Sequence, residues 1–156
     1  MVNDIELINA MVDAFQRIPE LTTLLENGAD SIYGYIDENP IRNSASKAIY
    51  QLPAGSLLVS WSSTSLDRAG GGGDSMLAWV HSIQVFVKAC RGKSALEITH
   101  ALANGVPQPG NQVWRICPLM SGVLGTEIRE IVRLIDEEGI DYYVVNTITQ
   151  ETGDYN

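Results

Sequence analysis

Two long stretches of alternating side chains, separated by four consecutive glycines, restrict this chain more than any other feature. Leu57, Val59 and Trp61 alternate with Leu58, Ser60 and Ser62, a period of two that marks a half-buried strand. After the glycines, Trp79, His81, Ile83, Val85 and Val87 fall on one side, and Ser82, Gln84 and Lys88 on the other, with Val80 and Phe86 as apolar exceptions. This spacing predicts a long β-hairpin. Arms of about eleven residues, at about 3.3 Å each, would reach roughly 36 Å, beyond the common strand length, so the tip is expected to project past the core. Glycine loses more freedom on ordering than any other residue, so a run of four asks for a use. The tip, residues 67–75, is therefore the candidate assembly segment, with Asp67, Arg68, Gly70, Gly71, Gly72, Gly73 and Asp74 as its residues.

The rest of the chain supplies helices and further strands. Asn3 followed by Glu6 forms a capping-box pattern, and Ile5, Ile8, Met11, Val12, Phe15 and Ile18 then mark the apolar stripe of a first helix. Pro19 interrupts it, and LTTLLENG reads as a short helical piece stopped by Gly28. SIYGYID, residues 31–37, reads as a short strand, and NSASKAIYQL as one or two helical turns. Ser94 and Glu97 open another helix, SALEITHALANG, with Ala95, Leu96, Ile98, Ala101 and Leu102 as its buried side and Gly105 as its stop. VPQPGNQ is a connector and VWRICPL a short strand ended by Pro118. Residues 124–136 fit a helix by spacing and a strand by side-chain type; the strand is preferred, because DEEG and IDYYVVNTITQ then complete a closing hairpin. The sum is an α+β domain spanning residues 1–156, with a largely antiparallel β-sheet, a long β-hairpin and helices packed on one face. Ser60, Ser62, Thr64, Ser82, Gln84 and Lys88 would line the other face, polar and weakly charged, suited to water or a neighbouring subunit.

Composition narrows the function. Nineteen acidic against ten basic side chains leave a net charge of −9, which repels phosphate and argues against direct DNA binding. No apolar run approaches the roughly 18 residues of a membrane span, and MVNDIELINAMVDAF has no basic stretch before an apolar block, so cytoplasmic synthesis is expected. Cys90 and Cys117 have no CxxC spacing and few histidines to join them; buried thiols fit better than a disulfide, and no metal site is expected.

No catalytic constellation emerges. There is no GxSxG elbow, and the two histidines read as a strand residue, His81, and a helix-surface position, His100. Cys90 and His81, nine residues apart on one strand, would lie about 30 Å apart. The glycine run is followed by Asp74 and a strand instead of Lys-Ser/Thr and a helix, which excludes a Walker loop. Asp136, Glu137 and Glu138 read as turn residues, and Trp61, Trp79 and Trp114 as packing residues of strands. No cofactor is implied. A small enzyme or ligand-binding domain would need a concave pocket with convergent polar groups.

The element order, from the amphipathic first helix through the hairpin arm WVHSIQVFVKA and the helix after RGKS to IDEEGIDYYVVNTITQETGDYN, resembles the tail terminator and tail-completion proteins of tailed bacteriophages. The resemblance implies a structural virion protein and not an enzyme, acting as a ring-shaped homo-oligomer, commonly a hexamer, at the end of the tail tube. Its implied partners are further copies of itself, the tail tube protein and the head connector, with DNA only as passing cargo and no membrane. A head-closure adaptor from the same virion region is the nearest alternative. An acidic ring wall would let DNA pass without holding it. Within such a ring the glycine tip would order on meeting a neighbour and so time assembly; an idle surface loop is the plainer reading of the same residues.

Overall fold

The computed structural model describes residues 3–35, 52–69, 76–88, 95–104, 123–135 and 141–152. Helix α1, Asp4–Gln16, begins where the Asn3 side chain accepts a hydrogen bond from the Ile5 N–H at 2.8 Å, which satisfies one of the helix's orphan donors. Its buried stripe is Leu7, Ile8, Met11 and Phe15. Ile8, Met11 and Phe15 lie on the expected stripe, but Ile5 is exposed and Leu7, one step round from Ile8, is buried, so the inner face is turned slightly towards Leu7. Helix α2, Pro19–Thr22, starts at the proline itself, whose missing N–H costs nothing in a first turn. It stops earlier than expected, and Gly28, with φ at +58°, instead opens a 3₁₀ turn, Gly28–Ser31.

Among the described residues, five strands form one sheet in the order β1-β2-β3-β5-β4. They are β1, Ile32–Tyr35; β2, Leu57–Ala69; β3, Met76–Lys88; β4, Val123–Ile135; and β5, Asp141–Thr152. β1 runs parallel to β2, and every other pairing is antiparallel. Residues 124–136 thus resolve in favour of strand, within β4 as far as Ile135. Each hairpin arm is 13 residues long, about 43 Å at the usual rise, longer than expected. The arms do not stand alone: β5 accompanies β3 as far as the pair Ala78 and Thr152.

Helix α3, Ala95–Asn104, buries Ala95, Ile98, Thr99 and Leu102, an i, i+3, i+4, i+7 stripe. Leu96, expected on the buried side, lies off this stripe and is 44% exposed, while the Thr99 hydroxyl is tolerated inside by donating to the Ala95 carbonyl at 2.7 Å. α1, α2 and α3 gather on one face over Leu57, Val59, Ile83, Val85, Val87 and Val145, as expected. Each large side chain buried there contributes about 1.5–3 kcal/mol. The opposite face differs from the expected polar surface at its base, where Leu58, Phe86, Tyr142 and Val144 form a second apolar cluster, with Leu52 against it. Lys88 is held at that edge by donating to the Leu52 carbonyl at 2.7 Å.

NSASKAIYQL through Gln51, the connector VPQPGNQ, VWRICPL, DEEG, Cys90, Cys117, Trp114 and Ser94 lie outside the described residues.

Candidate assembly surface

A β-bulge decides which residues share a face. Trp61 pairs with Ile83 and Ser63 with Ser82, so Ser62 is the extra residue on β2. The insertion reverses the parity of everything after it. Thr64, expected on the polar face beside Ser60, is turned to the helix-bearing face opposite His81, and Leu66 follows it opposite Trp79.

On that face, four side chains meet at the N-terminus of α1. Trp61 Nε1–H donates to Thr64 Oγ1 at 2.8 Å, and the Thr64 hydroxyl donates to Asp4 Oδ1 at 2.8 Å. His81 Nδ1 lies 2.7 Å from the same carboxylate oxygen and 3.1 Å from Thr64 Oγ1. A carboxylate only accepts, so this pairing places the ring hydrogen on Nδ1. Asp4 in turn sits in the first turn of α1, where a negative charge complements the helix dipole. His81 is fully buried. This cluster fastens the helix to the sheet at the bulge.

The same geometry does not form a catalytic relay. A nucleophile–base–acid relay needs the hydroxyl and the carboxylate on opposite ring nitrogens, so that the base can take the hydroxyl proton. Here both approach Nδ1, and the hydroxyl gives its hydrogen to the carboxylate. His100 is exposed on α3. Among the described residues, no group of three or more His, Cys, Asp or Glu side chains is placed to hold a metal ion. No helix among them is long and apolar enough to cross a membrane.

Outside this cluster, the molecule presents strand edges. β1 covers β2 only from Leu57 to Ser60, so from Trp61 to Ala69 the outer side of β2 carries no strand among the described residues. Among the described residues, β4 forms the other boundary of the sheet. Trp61 is 45% and Leu66 44% exposed beside the first edge, and Ile131 and Leu134 are exposed on the second. Trp61, expected to pack inside, therefore shows much of its indole to the surroundings while its N–H is held.

Of the expected tip residues, Asp67 and Arg68 occupy the end of β2, where they pair with Ala78 and Leu77. Gly70, Gly71, Gly72, Gly73 and Asp74 lie outside the described residues. Sequence reasoning missed Asp4 and Thr64, which join His81 across 77 and 17 positions.

No family model matches the chain, and no curated protein matches it. Its fold is shared with a chain from a structure titled "Virion of native gene transfer agent (GTA) particle", with a TM-score of 0.52 and 13% sequence identity. The match covers 94% of this chain and 95% of that one.

Proposed function

We propose that this chain is a structural subunit of a phage-like virion, one tail-terminator-like domain over residues 1–156 that closes the tail tube as a ring and joins it to the head connector. The observation that carries the reading is the fold shared, over nearly the whole of both chains, with a component of a gene transfer agent virion. The outer sides of β4 and of β2 beyond Ser60, which carry no strand among the described residues, support it, because strand edges are surfaces for association. So does the net charge of −9, which suits a wall that DNA slides past. In this reading the partners are further copies of the chain, arranged as a hexamer, with the tube protein on one side and the connector on the other.

Deleting the gene and imaging the resulting particles tests it. Tails of irregular length, together with heads left unjoined, are expected of a terminator. Tails of normal length beside unjoined heads would favour the head-closure adaptor. Complete particles in normal yield would remove both.

A further inference from the structure

The two edges of the sheet are complements of one another. β2 is antiparallel to β3, β3 to β5 and β5 to β4, so β4 runs opposite to β2. A second copy set beside the first in the same orientation therefore brings its β2 antiparallel to the first copy's β4, the pairing already used three times within the sheet. Both copies then point their hairpins the same way.

The heights also agree. β1 ends at the row of Ser60, which runs through Gln84 and Asn146 to Glu130; the next row runs from Trp61 through Ile83 and Thr147 to Ile128. β4 carries two bulges, one between Val123 and Gly125 near its start and one between Ile128 and Glu130; the latter falls at the height where a neighbour's β1 would begin to occupy the space beside β2. A bulge bends its strand and changes its aim. The upper part of β4, Val123–Ile128, is thereby free to follow the neighbour's β2 while the lower part turns aside from β1. Above the Ser62 bulge the receiving stretch, Ser63–Ala69, contains neither proline nor lysine, and its two charged residues, Asp67 and Arg68, stand at its far end. On the helix-bearing face, Ile128 of one copy would stand in the row of the next copy's exposed Trp61.

We infer that copies of this chain join head to tail through their sheets, Val123–Ile128 of β4 in one copy pairing antiparallel with the Trp61–Ala69 edge of β2 in the next. The occupant is a second copy because the matching direction, height and bend are all found on this molecule. The interface uses different surfaces on its two sides, so it generates a ring when the rotation closes. This inference rests on the reading of the chain as a self-assembling virion subunit and names the surface by which it assembles.

Site-specific photo-cross-linking tests it. The exposed Leu66 is replaced by p-benzoylphenylalanine, particles are purified and irradiated, and the product is mapped by peptide mass spectrometry. The expected product has twice the mass of the 17.0 kDa monomer and joins residue 66 to residues 123–131 of another copy. Were the chain absent from particles, the virion reading would fail on its own, and the same irradiation of the concentrated purified protein would decide the edge. A cross-link within one chain, to another protein or to a different part of the partner copy overturns the inference, as does no cross-link in a sample where the chain is present. In particles, those outcomes leave the virion reading standing.

Discussion

Asp4 is the residue on which the junction between helix and sheet turns. It accepts from both Thr64 and His81, so removing it leaves two donors without their carboxylate. Asp4→Ala is expected to lower stability by about 1–3 kcal/mol, read from the midpoint of urea unfolding. Thr64→Val removes a link in the same network, so the double variant should lose less than the sum of the two; strictly additive losses would contradict a shared cluster. Gly34 gives a second test. A Cβ there would come within 3.0 Å of Ile8 Cγ2 and 3.5 Å of Val12 Cγ2, and Ile8 is a branched, buried side chain with little room to yield. Gly34→Ala should therefore destabilise by about 1–3 kcal/mol in the same assay, while unchanged stability would mean that α1 can move away from β1. At this scale the sequence was least legible. His81 could be read as a strand residue, but nothing local marked Asp4 as its partner, because 77 intervening positions are closed only by the tertiary fold.

At the scale of elements, periodicity served well where it was long and failed where it was short. The hairpin arms and β5 follow from alternation and β-branched composition, and the tie over residues 124–136 fell to strand because β5 needed a partner. Apolar residues on helices were harder, since a short helix carries apolar residues on more than one side and its packing on the sheet decides which are buried. Ile5 and Leu96, expected inside, are exposed, while Leu7 is buried without having been expected and Ile98 is buried as expected. Accordingly, Ile5→Lys and Leu96→Lys should each stay within about 0.5 kcal/mol of the parent. Leu7→Ala and Ile98→Ala should each cost about 2–5 kcal/mol, and thermal unfolding of the four variants checks the helix orientations together. The bulge at Ser62 left no trace in the sequence: only the pairing shows that Trp61 and Leu66, of opposite parity, share a face, which requires one inserted residue. The timing role proposed for Gly70 to Gly73 also belongs here. Replacing them by Asn-Gly, a tight turn, should make the free protein associate early and reduce the number of completed tails. Tails completed normally would leave the run as an idle connection.

For the whole molecule, the fold class followed from counting elements, whereas the function did not follow from any one residue. The glycine run drew attention to the hairpin tip, yet the described surface available for association lies along the strands below it, at Trp61, Leu66 and the outer side of β4. An edge is defined by which strand fails to arrive, and that is a property of topology, invisible to composition. β1 is short, so among the described residues most of the outer side of β2 carries no strand, and this links the fold to the proposed assembly. Localising the chain in purified particles tests that proposal most directly. Immunogold labelling of an epitope-tagged copy should place gold at a single position per particle, where head meets tail. Labelling spread over the capsid or along the tube, or particles without the chain, would contradict it.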